Sequence, residues 1–145
     1  MIATKHKVFC SYTLGSESVE KVDARMRAIA DAFESAGVES YCNLFDMQTY
    51  NLTCPKDCLD IALNKLEECD IVFVVMTGER SEGMLIEVGV AYAAGKQIVL
   101  ARHESANGKT YVDRMANITM DWQTDQDLTT IIKSLIIKPS PTPIA

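Results

Sequence analysis

Residues 70–101 read DIVFVVMTGERSEGMLIEVGVAYAAGKQIVLA, and this stretch decides the fold. After Asp70, the run from Ile71 to Met76 contains no polar side chain. An unbroken apolar run of strand length implies burial on both faces, as in the middle of a parallel sheet. The polar turn TGERSEG follows, then MLIEVGVAYAA, which reads as a helix stopped by Gly95. Gln97 to Ala101 is the next strand. A strand, a crossing helix and a second strand make a right-handed βαβ unit, and such units build parallel sheets.

The same alternation extends outward. Upstream, KVFCSY (residues 7–12) is a short apolar strand that ends in the polar turn TLGSES. Val19, Val22, Met26, Ile29, Ala30 and Phe33 recur at helical spacing, with Ser18 as a cap and Gly37 as a stop. Residues 38–42 form a second strand. Residues 43–53 read as a long polar and aromatic loop, of a length that suggests a function. Pro55 suits the first turn of a helix whose apolar face is Leu59, Ala62, Leu63 and Leu66. Downstream, a polar loop runs to about Arg114, and Ile118 to Trp122 is the last strand. Thr124 and Asp127 have the spacing of a capping box, and Leu128, Ile131, Ile132 and Leu135 form the buried face of the final helix.

Five strand–helix alternations predict an α/β fold: a flavodoxin-like, doubly wound, open parallel sheet of five strands in a single domain over residues 1–137. The Pro-rich tail, residues 138–145, is expected to be disordered. In such sheets ligands bind at the carboxyl ends of the strands, near the switch point. The segments there are residues 11–16, 43–53 and 77–83.

Composition narrows the function. Among 145 residues, 20 are acidic and 14 basic, giving a net charge of −6. No basic run offers a face for a nucleic-acid polymer. No segment reaches the twenty or so apolar residues of a membrane span, and the first residues lack the apolar core of a secretion signal. Five cysteines, an odd number, are read as reduced thiols of a cytoplasmic protein. Cys54 and Cys58 lack further ligands at zinc spacing, so neither a metal nor a bound cofactor is expected.

Glu87 is the only charge between Gly83 and Gly95. A carboxylate in so apolar a helix is a candidate catalytic group, with its pKa raised by burial. Gly83 and Ala91 lie one turn to either side and would leave room for a ligand ring. The plainer alternative is a glutamate that reaches solvent or pairs with a lysine. Ser81 and Gly83 stand where a loop enters the helix, a place that holds phosphate or a sugar hydroxyl; the plainer alternative is a capping serine and a loop glycine. There is no GxGxxG and no Walker sequence.

The segment from Asp70 through Ser81, Gly83, Glu87 and Gly89 to Gly95-Lys96 resembles the core of the nucleoside 2-deoxyribosyltransferase family, which includes the 2′-deoxynucleoside 5′-phosphate N-hydrolases. The resemblance is specific over residues 70–96 and extends loosely from Lys7 to Leu135. It implies cleavage of the N-glycosidic bond of a nucleoside or its 5′-monophosphate, with Glu87 as nucleophile and water or a second base as acceptor. It places Ser11 and Tyr12 beside sugar and base and gives Ser81 the 5′-phosphate. It also implies a homo-oligomer in which a neighbouring subunit completes the site, with Asn117 in the region concerned.

Many family members carry an Asp eight residues before the strand's opening Asp. Here that position is Ala62, and Asp60 stands two residues away. Asp60 is therefore a candidate second catalytic carboxylate, against the alternative of a solvated helix residue; Asp46 is another candidate acid. FCSY and the Ser-then-Glu helix also resemble Toll/interleukin-1 receptor (TIR) domains, some of which cleave NAD, although where those domains usually carry a Trp-Cys near the Ser this chain has Glu82-Gly83-Met84. A nucleotide-binding module without catalysis is the third reading, favoured by Ala62 and by the poor match of SYTLGSES to the family's Gly-rich loop.

Overall fold

A computed structural model describes residues 2–50 and 54–137. The tail at 138–145 and the end of the predicted long loop, 51–53, lie outside the described residues. The elements in chain order are β1 (Ile2–Ala3), β2 (Lys7–Tyr12), α1 (Val19–Ser35), β3 (Glu39–Cys42), α2 (Asn43–Asp46), a 3-10 turn (Met47–Tyr50), α3 (Pro55–Glu68), β4 (Ile71–Met76), α4 (Glu82–Ala93), β5 (Gln97–His103), α5 (Tyr111–Met115), β6 (Ile118–Trp122), α6 (Asp125–Leu135) and β7 (Ile136–Ile137).

The main sheet has five strands in the order β3-β2-β4-β5-β6, and every pairing is parallel. Counting only these strands, the order is 2-1-3-4-5, as expected from the sequence. β4 lies in the centre and all six of its residues are buried. Ile71, Phe73 and Val75 join one core with α1 and α6, whereas Val72, Val74 and Met76 join a second core with Met84, Val88 and Ala91 of α4. The period-two alternation of a strand thus feeds two helical layers. Helix boundaries follow local chemistry. Ser18 caps α1 by accepting from the Lys21 amide, and Thr124 with Asp127 forms a full capping box on α6. Gly37 and Gly95 follow their helices with φ of 74° and 71°, where a Cβ would be strained.

Three expectations change. The segment after Cys42 is a turn of α-helix and a 3-10 turn as far as Tyr50, rather than a loop. α5 lies within the predicted polar loop; it is five residues long, rests on a Thr110/Asp113 capping box and buries only Val112, so no helical period is visible in the sequence. A small second sheet pairs Ile2 with Ile136 and Ala3 with Ile137, a contact between chain ends that local pattern cannot announce. All five cysteines are free thiols.

Candidate active site

The carboxyl end of β2, the start of α2 and the first turns of α4 meet in a cleft of about 220 Å³, lined by Tyr12, Leu14, Asn43, Ser81, Gly83, Met84 and Glu87. α4 begins where Ser81 accepts a hydrogen bond from the Met84 amide at 3.3 Å. Its buried residues are Met84, Glu87, Val88 and Ala91, the three- and four-residue spacing of one helix face. Glu87 therefore occupies a core position on the stripe that faces the sheet, and is only 7% exposed. It does not reach solvent freely, and among the described residues it pairs with no lysine.

Two polar side chains meet its carboxylate. The Ser11 hydroxyl, fully buried at the end of β2, donates to Glu87 Oε1 at 2.9 Å. The Asn43 amide donates to Oε2 at 3.3 Å. Burial pushes the Glu87 carboxyl up from 4.5 to about 7, and the Ser11 hydrogen bond opposes that rise. At neutral pH the group is thus poised between its acid and its nucleophilic anion. Tyr12 is held above the ordinary tyrosine range by burial, with Cys42, Glu87 and Tyr41 adding to it, so it presents a neutral hydroxyl. Thr13 is buried behind the wall and donates to Met84 Sδ at 3.3 Å.

The other predicted residues divide. Tyr12, Ser81 and Gly83 line the cleft, and Ser11 stands behind it on Glu87. Ser81 is the helix cap, and its hydroxyl is also 3.5 Å from the Tyr12 carbonyl. Ala91 is fully buried in the core, so the cleft opens on the Gly83 side of Glu87 alone. Asp60 is exposed on α3 and pairs with Lys56 at 2.9 Å, outside the cleft lining. Asp46 accepts from the Cys42 amide at 2.8 Å. The Asn117 side chain accepts from the Ile98 amide at 2.8 Å, at the amino ends of β5 and β6, the opposite end of the sheet from the cleft. Asn43 is a contact that the sequence reading did not single out. Its position directly after a strand, at the head of the unusual segment 43–53, was the available signal. Among the described residues no group of three His, Cys, Asp or Glu side chains is arranged to hold a metal ion.

The family model for nucleoside 2-deoxyribosyltransferase matches residues 9–124, well over half of the chain. The chain belongs to the nucleoside 2-deoxyribosyltransferase family. Membership makes it an enzyme of the deoxyribosyltransferase and N-glycosidase kind. The CMP N-glycosidase BcmB of Clostridium botulinum superposes with a TM-score of 0.69 at 21% identity, covering 88% of this chain and 98% of that one. A 2-deoxyribosyltransferase from Bacillus psychrosaccharolyticus superposes with a TM-score of 0.63 at 14% identity, covering 93% and 99%. The sugar isomerase domain of an RpiR transcription factor from Sphaerobacter thermophilus also superposes, with a TM-score of 0.59 at 13% identity, covering 90% and 68%. At such identities these likenesses concern the fold, and the last shows that the fold alone does not select the chemistry. No curated protein matches by sequence. For this deoxyribosyltransferase family member, Glu87 and Ser11 both fall within the matched span.

Proposed function

We propose that the chain cleaves the N-glycosidic bond of a nucleoside or its 5′-monophosphate, with Glu87 as nucleophile. The observation that carries this reading is the buried Glu87 carboxylate, facing an open cleft while Ser11 and Asn43 hold its two oxygens. Those two hydrogen bonds fix the rotamer of the attacking group before substrate arrives, which lowers the entropic part of the barrier. The anion attacks the anomeric carbon. The C1′–N bond breaks, its electron pair leaves with the base, and the base takes up a proton from solvent, to which the incoming water or second base later returns one. A glycosyl ester on Glu87 results, and water or a second base then attacks the same carbon and releases the carboxylate. As the ester forms, the charge that burial disfavours disappears, so desolvation assists the step.

In this reading Tyr12, Asn43, Ser81 and Gly83 contact the sugar and base, and Asp60 takes no part. A homodimer is included, formed with a second copy across the outer side of α4. Leu85, Ile86, Val90 and Tyr92 stay 39–58% exposed there, on the helix that carries Glu87. Sedimentation at micromolar concentration tests it, and a monomer would refute it. Asn117 belongs to the site only if it is contributed by that second copy. Among the described residues no helix is long and apolar enough to cross a membrane, and we place the enzyme in the cytoplasm with its thiols reduced.

The deciding experiment incubates the chain with ribo- and deoxynucleosides, their 5′-monophosphates and NAD, and scores the free base. Base released from a nucleoside or nucleotide by the wild type but not by a folded Glu87→Gln variant supports the reading. Nicotinamide alone would point to NAD cleavage, and binding without release to a sensing module.

A further inference from the structure

One atom of the cleft lining lacks a partner. The Asn43 side chain donates through Nδ2 to Glu87 Oε2 at 3.3 Å, but among the described residues its Oδ1 is buried and accepts no hydrogen bond. No other side-chain atom of the residues that line the cleft is so placed. The orientation of the amide follows from its neighbour: a carboxylate only accepts, so the nitrogen faces Glu87 and the oxygen is left over. A buried carbonyl oxygen without a donor is costly, and folded proteins leave few of them. The missing donor has a route in through the cleft, because Asn43 is itself only half-buried there. The terminal torsion of an asparagine is broad and the bond to Glu87 is long, so a small rotation opens Oδ1 to a ligand while Nδ2 stays on the carboxylate.

The place of this oxygen selects the hydroxyl it can meet. Nδ2 and Oδ1 lie about 2.2 Å apart in a planar amide, so Oδ1 is within about 5.5 Å of Glu87 Oε2. An attacking oxygen stands about 3–3.5 Å from the carbon it attacks. In a β-nucleoside the base occupies one face of the sugar and the nucleophile approaches the other, which is the face that carries the 2′-hydroxyl of ribose. That hydroxyl is one carbon from the reacting centre, within reach of the amide that holds the nucleophile. The 3′-hydroxyl is a carbon further away. A 2′-deoxyribose has only hydrogen at the position, and arabinose turns its 2′-hydroxyl to the side of the base.

We propose that Asn43 is a specificity-determining residue for the sugar: its Oδ1 accepts the 2′-hydroxyl of ribose, and the cleft takes ribonucleosides in preference to their 2′-deoxy and arabino forms. This rests on the reading of Glu87 as the nucleophile of a nucleoside cleft and names its substrate class. The two ends of the amide have separate duties, Nδ2 toward the anion and Oδ1 toward the sugar. Glycosidases that retain configuration gain from a hydrogen bond to the 2-hydroxyl that strengthens in the transition state. An electron-withdrawing 2′-oxygen slows departure of the base whichever way it points, because that transition state is oxocarbenium-like. Comparison of ribose with arabinose cancels this effect and isolates the hydrogen bond.

The test uses the full chain with three nucleosides of one base, the ribo, 2′-deoxyribo and arabino forms. The wild type, Asn43→Ala and Asn43→Asp are compared, each checked for folding by circular dichroism. The wild type should favour the ribonucleoside over the arabinonucleoside by about tenfold or more in kcat/KM, and its KM for the ribonucleoside should be about tenfold lower than for the deoxynucleoside. Asn43→Ala loses the donor to Glu87 as well as the acceptor, so all three sugars should slow, the ribonucleoside by about tenfold more than the others. Asn43→Asp loses the donor and keeps an acceptor, so all three should slow while the ribo-to-arabino ratio stays within about threefold of the wild type. A merely structural role would lower the three sugars together in both variants. The proposal is overturned by a wild type that handles arabinose as well as ribose or cleaves the deoxynucleoside alone, by a ratio that Asn43→Ala leaves unchanged, or by a ratio that Asn43→Asp abolishes. Absence of base release from every sugar refutes the catalytic reading of Glu87 instead. Titration calorimetry of the wild type then decides the sugar: affinity about tenfold tighter for the ribonucleoside upholds the role of Asn43, and equal affinities or no binding refute it too.

Discussion

Glu87→Gln examines the site through stability as well as turnover. The Glu87 carboxyl sits at about 7 in the folded protein against an ordinary 4.5, because burial disfavours its charged form. A carboxyl that holds its proton more tightly when folded makes stability fall as pH rises from 4.5 toward 7, since the folded state then binds more protons than the unfolded one. The whole difference corresponds to about 3 kcal/mol of destabilisation above pH 7. Glutamine removes the charge and keeps the shape. Its oxygen still accepts from Ser11, but its nitrogen cannot accept from Asn43, which costs about 1 kcal/mol. The variant should therefore be more stable than the wild type by about 2 kcal/mol at pH 8, a rise of about 5 °C in Tm. Near pH 4.5 the wild type carries less than about 0.5 kcal/mol of the penalty, so the lost hydrogen bond dominates and the order reverses. Turnover should drop by about a thousandfold or more at every pH. Urea unfolding followed by circular dichroism at pH 4.5, 6 and 8, with chromatography of released base, measures both. A stability difference that stays constant across this range would refute the charge argument. Turnover by a folded Gln variant would refute the nucleophile.

Three further outcomes follow from the geometry. Ser11→Ala removes the hydroxyl that favours the Glu87 anion, so the carboxyl should move further above 7 and the acid limb of the kcat/KM profile should shift to higher pH, with a loss of about tenfold at pH 7; a limb that stays in place would count against this. Asp60→Asn alters an exposed residue paired with Lys56, so base release should remain within about twofold, and a hundredfold loss would return Asp60 to the catalytic apparatus. Asn117→Ala leaves the buried Ile98 amide without its side-chain acceptor and should lower stability by about 1–2 kcal/mol in urea; a fall in kcat well beyond that loss would mean that a second copy's Asn117 reaches the cleft.

Much of this protein is legible without coordinates because its determinants are local. The apolar run of β4, the capping residues Ser18, Ser81 and Thr124, and the glycines at 37 and 95 act over a few residues, and the observed strand order is the common doubly wound arrangement that alternating strands and helices favour. Glu87 stood out for the same reason, as one charge in an apolar helix. Its orientation was not legible, because α4 is apolar nearly all round and no polar face marks the solvent side; Leu85 and Ile86 are as apolar as Met84 and Val88, yet the first pair is exposed and the second buried. Only the packing of α4 on the sheet decides that the stripe of residues 84, 87, 88 and 91 faces inward. The same holds for Ser11 on Glu87 and Asn43 on Glu87, pairs 76 and 44 residues apart. Asp60 shows the converse: proximity to a family position in sequence was enough to nominate it, but two residues on a helix turn a side chain by about 200°, and it points to Lys56 and solvent. Local sequence determines the elements and their order, because capping, periodicity and turn chemistry are short-ranged. The site is decided by tertiary structure, because its hydrogen bonds join segments that only the closed sheet brings together.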